Sequence, residues 1–160
     1  MDKSTADVVA RELMANDFMK KGWSHPTLAF WLQHDCKCIY CECDLSHSRD
    51  VAYYGYCAEH ILPKSKYPEL ASAEWNTALA CSSCNRLKAR WDPNISGEIV
   101  YTGDALNQEQ VTVLISRARE RIQGLRKELT LRFEQEQSAI RNAIGNANTS
   151  TKAKTASTLT

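Results

Sequence analysis

Apolar residues along the chain keep a helical interval near the N-terminus, lose it in the middle and regain it over a long C-terminal stretch. Val8, Val9, Leu13, Phe18 and Met19 give one rough apolar face and predict a helix over residues 4–20. Ser4 and Asp7 have the spacing of a capping box, with Asp in place of the usual Glu, and Gly22 is a natural stop. Ser24-His25-Pro26 then opens a second, short helix in which Leu28, Phe30, Trp31 and Leu32 are apolar. Proline in a first turn forfeits no hydrogen bond. These aromatics read as core, and His25 and His34 as packing or surface residues.

Residues 36–59 read as a loop and hairpin. The aromatic run Val51-Ala52-Tyr53-Tyr54-Gly55-Tyr56 predicts a strand that delivers Glu59 and His60. Residues 61–75, with Pro63 and Pro68, read as a loop, and 77–80 as a short extended segment. A helix is expected from Cys84 or Asn85, carrying Arg86, Lys88 and Ala89. Asp92-Pro93-Asn94 and Ser96-Gly97 are turn signals that close this region.

From Leu106 to Gly145 the pattern is helical, with Asn107 as the cap. Val111, Ile115, Ala118, Ile122, Leu125 and Leu129 alternate by four and three, as in a heptad seam, and the seam then drifts to Phe133, Ile140 and Ile144. Gly124 weakens the run slightly. Such a stripe must bury against something: the N-terminal helices, a second copy of the chain, or a partner protein. Arg117, Arg119, Arg121, Arg126, Lys127 and Arg132 are offset by nearby acids and read as a solvated face. Residues 146–160 have almost no apolar content and are expected to be disordered. The fold class is α+β. A helical segment spans 1–35, a core 36–103, a long amphipathic helix for assembly or docking 104–145, and a tail 146–160.

At 160 residues, 43% of them apolar and 24% charged, the chain can bury one modest core. A net charge of +1 makes it no polycation, so bulk electrostatics neither favours nor excludes nucleic acid. Local charge says more. Between His60 and Asp92, Lys64, Lys66, Arg86, Lys88 and Arg90 outnumber Glu69, Glu74 and Asp92. The N-terminus carries acids and no long apolar run, so no secretory leader is expected, and no segment has membrane-spanning length. Seven cysteines cannot all pair internally. A soluble protein of a reducing cytoplasm follows, where Cys-x-x-Cys pairs mean metal before disulfide.

Two such pairs are present, Cys38-Ile39-Tyr40-Cys41 and Cys81-Ser82-Ser83-Cys84. A two-residue spacer lets both sulfurs of a tight turn face one ion, and two turns complete a tetrahedral zinc site. Cys38, Cys41, Cys81 and Cys84 are therefore the expected ligands of a structural zinc. Cys36 and Cys43 are alternative donors that lack the turn-compatible spacing. Cys57 reads as packed. No βαβ pattern surrounds either pair, which argues against a thioredoxin-like redox role.

Between the pairs stand Glu59-His60, Asn76 and, directly after the last cysteine, Asn85. This order resembles the zinc-containing branch of the HNH nucleases, over about residues 36–91. His60-Ile61-Leu62-Pro63-Lys64-Ser65 is similar to that family's His-x-x-Pro-basic run, and 80–88 to its second cysteine knuckle. Glu59 stands where the family usually has Asp, and Asn85 where it has His or Asn. The resemblance implies a ββα-metal core and a metal-dependent DNA endonuclease, DNA being preferred to RNA as substrate.

The chemistry fits those residue types. Imidazole titrates near neutrality, so His60 suits activation of water. Glu59 and Asn85 offer oxygen donors to Mg2+ or Mn2+, which would act on the scissile phosphate as a Lewis acid. The resemblance gives Asn76 the task of orienting the His60 loop. Lys64, Arg86 and Lys88 are the expected phosphate contacts. By analogy with small HNH proteins, the chain is expected to serve as an effector in bacterial defence or restriction, beside an ATPase or targeting subunit, or as a homodimer through residues 106–145. The alternative is a degenerate, zinc-stabilised module that binds nucleic acid or protein without cutting.

Overall fold

The structure, a computed structural model, describes residues 1–48, 52, 55–97, 99 and 106–157, the last twelve and Phe18 by backbone alone. It is α+β. Helices α1 (Lys3–Leu13), α2 (Asp17–Lys20) and α3 (His25–Gln33) precede a hairpin of β1 (Tyr56–His60) and β2 (Thr77–Cys81). Helix α4 (Ser82–Lys88) follows directly, and α5 (Gln108–Ser157) ends the described chain. Among the described residues no helix is long and apolar enough to cross a membrane.

The predicted first helix is two. Asp2, and not Ser4, caps α1: its Oδ1 accepts from the Thr5 amide at 3.0 Å and its Oδ2 from the Thr5 hydroxyl at 2.7 Å. An acceptor one residue before the helix satisfies an orphan amide, which a serine already inside it cannot do. Bonds from Ala15 to Glu12 and from Asn16 to Leu13 tighten the end of α1 and break the run before α2. The face α1 buries is Ala6 and Ala10, both fully covered, while Val8 is exposed. Small residues let the helix approach α3 closely. Ser24 caps α3 as expected, accepting from the Thr27 amide at 3.4 Å, with Pro26 in the first turn.

β1 and β2 pair antiparallel in the register Tyr56↔Cys81 through His60↔Thr77. The described strand begins at Tyr56, and Ala52 and Gly55 of the expected 51–56 run are not in it. Val51, Tyr53 and Tyr54 lie outside the described residues. The loop between the strands contains two 3-10 turns, Pro68–Leu70 and Glu74–Asn76. α4 starts earlier than the composition suggests because Cys81 is its cap: the Cys84 amide donates to the Cys81 sulfur at 3.3 Å.

The residues up to Ile122 form one compact unit with two hydrophobic clusters. One gathers Trp31, Tyr40, Leu45 and Leu79 around the two buried cysteines, Cys38 and Cys84. Trp31 meets Trp23 and Tyr56 edge-on, at ring separations of 5.0 and 4.8 Å. The other gathers Ile61, Leu62, Leu70 and Ala78 with Ile99 and Leu106. The first turns of α5 complete both, through Val111 and Leu114 in one and Ala118 and Ile122 in the other. Val111, Leu114 and Ile122 each contribute about 1.5–3 kcal/mol when fully buried. With this burial the first compact unit ends at Ile122, inside α5.

Asn107 caps α5 reciprocally. Its Oδ1 accepts from the Gln110 amide at 2.9 Å and its own amide donates to Gln110 Oε1 at 3.0 Å. The buried positions are 111, 114, 118 and 122, where the heptad reading placed Ile115 in the seam; Ile115 is only partly buried. In the second unit, which starts at Gln123, Leu129, Leu131, Phe133, Ile140 and Ile144 are exposed. The helix continues to Ser157 where composition predicts disorder. No proline interrupts residues 146–157, and Ala carries the highest helix propensity.

Candidate functional site

The hairpin and α4 position two sites at opposite ends of β1 and β2. At the Tyr56↔Cys81 end lie four sulfurs. The first knuckle is built by the chain turning back at Glu42, whose φ of 59° is left-handed, so that the Cys38 amide reaches the Cys43 carbonyl at 3.1 Å and the Glu42 amide the Cys38 carbonyl at 2.9 Å. Arg119 of α5 clamps this turn, 3.0 Å from the Ile39 carbonyl and 2.9 Å from the Glu42 carboxylate. The expectation of a fully solvated arginine face therefore does not hold at Arg119. The second knuckle is the β2–α4 junction itself.

The ligand atoms of Cys38, Cys41, Cys81 and Cys84 all lie within 4.8 Å of one another. Four Zn–S bonds of about 2.3 Å make a tetrahedron with edges of about 3.8 Å. The Cys41 and Cys81 sulfurs stand 3.8 Å apart. The donor set therefore fits a zinc ion. Titration behaviour agrees in kind. Hydrogen bonds from Cys81 and Cys84 hold the Cys38 thiol well below its ordinary value, while the Cys84 thiol is pushed up by its hydrogen bonds to Cys38 and Cys81, then by burial and by the charge on Cys38. Four crowded sulfurs cannot all ionise unaided, and a dication removes that conflict. Burial first, then a bond to Cys41, pushes the exposed Cys43 up to about 12.

At the His60↔Thr77 end, Glu59, His60, Lys64, Asn85 and Arg90 share a cleft of about 590 Å3. His60 Nε2 is 3.1 Å from the Ala71 carbonyl. A carbonyl only accepts, so Nε2 is the donor in this bond, and in the neutral ring that tautomer leaves the lone pair on Nδ1. The loop bearing that carbonyl is pinned by Asn76, which is fully buried. Asn76 Oδ1 accepts from the Leu62 amide at 2.7 Å, and its Nδ2 donates to the Leu62 and Leu70 carbonyls at 3.2 and 3.1 Å.

Glu59 is 5% exposed and does not stand alone. Lys88 Nζ is 2.6 Å from its Oε1, and the Tyr40 hydroxyl donates to the same oxygen at 3.5 Å. Burial, and the Glu59 carboxylate beside it, raise the Tyr40 phenol far above its usual range. The Lys88 ammonium also donates to the His60 carbonyl at 2.9 Å. Lys88 is 1% exposed, so it is not available to phosphate, contrary to the expectation from its sequence position. Its place one turn after Asn85 turns it onto the same helix face, toward β1.

Lys64, Arg86 and Arg90 are exposed and form no ion pair among the described residues. Nearby Lys66 is bound to Asp92, which also accepts from the Tyr67 hydroxyl at 2.8 Å. Arg90 is the cleft residue that motif reasoning missed. It appears in sequence only as one of several local cations. A larger cleft of about 800 Å3 lies between α1, α3 and the loop before β2. Its charges are satisfied in pairs, Lys3 with Glu74 at 2.6 Å and Asp7 with Arg11 at 2.6 Å, and it gathers no comparable chemistry.

Over 84 aligned residues the chain is 32% identical to Septu protein PtuB of Bacillus thuringiensis, an alignment covering 49% of this chain and 31% of that protein. The chain thus spans under a third of the length of the curated relative it matches. No protein-family model matches the chain. No solved structure matches it.

Proposed function

We propose that the chain is an HNH-type endonuclease that hydrolyses phosphodiester bonds in DNA, scaffolded by zinc on Cys38, Cys41, Cys81 and Cys84. The observation that carries this reading is the His60 imidazole, its tautomer set by the Ala71 carbonyl, in one cleft with Glu59 and Asn85. Nδ1 takes the proton of the attacking water. The Ala71 carbonyl stabilises the imidazolium that results. Asn76 keeps that carbonyl in place. Lys64, Arg86 and Arg90 hold phosphates on either side of the scissile one, as exposed cations free to do so. Glu59 and Asn85 supply oxygen donors of the kind Mg2+ or Mn2+ takes; such an ion stabilises charge on the leaving oxygen.

Bacterial defence is the setting we assign, and the partial similarity to PtuB supports it. The exposed Leu129, Phe133, Ile140 and Ile144 are where another protein subunit would attach. A second reading has its own observation. The Lys88 ammonium already neutralises Glu59, as it would in a module that binds without cutting. Cleavage of supercoiled plasmid in Mg2+ or Mn2+, lost in His60→Ala, supports the nuclease. Intact plasmid with both proteins, in the presence of the native partner, supports the module.

A further inference from the structure

Lys88 is the largest fully buried charged side chain of the described residues. Taking an ammonium out of water costs several kcal/mol, and an apolar residue of similar volume is often the more stable choice there. The retained charge touches two neighbours at once, the Glu59 carboxylate at 2.6 Å and the His60 carbonyl at 2.9 Å. Glu59 and His60 are consecutive on β1, and strand side chains alternate in direction. One ammonium therefore fixes the carboxylate of the first and the main chain of the second. It does so from beneath: Glu59, His60 and Asn85 line the cleft and Lys88 does not. Ala89, at φ 50°, ends α4 immediately afterwards, so Lys88 sits where the helix stops.

The oxygen donors then offer no net negative charge. Glu59 is matched by Lys88, Asn85 is neutral, no other carboxylate among the described residues lines the cleft, and Lys64 and Arg90 add positive charge to it. A divalent cation gains little from such a set until a phosphodiester adds its own negative oxygens.

Resting on the nuclease reading, we infer that Lys88 is a positioning residue. It locks Glu59 and the His60 backbone in one geometry and holds down Glu59's affinity for a free divalent ion, so that ion and phosphodiester bind together.

The test measures Mn2+ binding to the zinc-loaded full chain by electron paramagnetic resonance, with and without a short DNA duplex, in a His60→Ala background that prevents cutting. Lys88 is unchanged in one sample and Lys88→Met in the other. DNA should tighten Mn2+ binding at least about tenfold when Lys88 is present. Lys88→Met should tighten Mn2+ binding without DNA by a similar factor and shrink the benefit of DNA. Lys88→Arg keeps the charge and moves the donor. It should leave Mn2+ affinity within about twofold while lowering kcat, and not KM, of the otherwise unaltered chain. Should Lys88→Met fail to fold, Lys88→Gln keeps a donor without the charge and takes its place. Equal Mn2+ affinity with and without the charge, in folded protein, overturns the inference. So does an absence of Mn2+ binding in every sample. If the chain with His60 intact does not cut DNA but the Mn2+ shifts appear, the nuclease reading falls and the role of Lys88 stands.

Discussion

The two ends of one short hairpin are built in opposite ways. At the Tyr56↔Cys81 end the four sulfurs come from two tight turns, and each turn's spacing already brings its pair together. At the His60↔Thr77 end little is local. His60 is oriented by Ala71, eleven residues on. Glu59 is held by Lys88, beyond the second strand. The first end is a clamp whose loss opens the domain. The second is a set of polar groups that the fold tolerates and that the proposed chemistry requires. Mutations should therefore divide cleanly between stability and activity.

The largest effect is expected at the clamp. Cys81→Ser, or stripping zinc with a strong chelator, removes a ligand set worth on the order of 10 kcal/mol in small zinc domains. That is comparable to the whole stability of a domain this size. Circular dichroism should show loss of cooperative unfolding, and zinc content should fall from one ion per chain. Retention of a sharp melt would break the comparison at its first end. Leu114→Ala comes next. This fully buried residue joins α5 to the cluster beneath the cleft loop, and its truncation should cost about 2–5 kcal/mol in denaturant unfolding.

Asn76→Ala leaves the Leu62 amide and the Leu62 and Leu70 carbonyls without their partner. A loss of about 3 kcal/mol is expected, with zinc still bound, and a fall in cleavage as the Ala71 carbonyl drifts. Asn76 thus serves stability and activity together at the cleft end, and a variant that lost stability but cut normally would separate the two again.

Asp92 gives a smaller, pH-dependent effect. Burial raises its pKa, but bonds from Lys66, the Asn94 amide and Tyr67 outweigh that and leave the carboxyl below the usual range. A depressed folded-state value means the contribution is present above about pH 4, the unfolded value, and is lost as pH falls through the folded one. Asp92→Asn should cost about 1 kcal/mol at pH 7, less at pH 3, read from urea midpoints.

What the sequence disclosed follows the same divide. The sulfur cluster was legible because zinc ligation is written in two-residue spacers. Strand, loop, strand and helix around it were legible in order, though Cys81 as a helix cap was not, since a sulfur is a rare acceptor there. The Glu59–Lys88 pair was hidden: in Asn85-Arg86-Leu87-Lys88 both cations look alike, and only helix phase against β1 decides which one is swallowed. The seam of α5 was misread by one position because a straight helix repeats every 3.6 residues, so Leu114 displaces Ile115 from the core. The 3-10 turns that bring Ala71 to His60 leave no periodic signal at all.

His60→Ala is the most direct measurement. The side chain is half-buried with a single hydrogen bond among the described residues, so its removal should cost about 1 kcal/mol or less and leave one zinc per chain. Plasmid cleavage in Mn2+ should nevertheless fall by about a hundredfold or more. Cleavage at an undiminished rate by a folded, zinc-loaded His60→Ala chain would contradict the account.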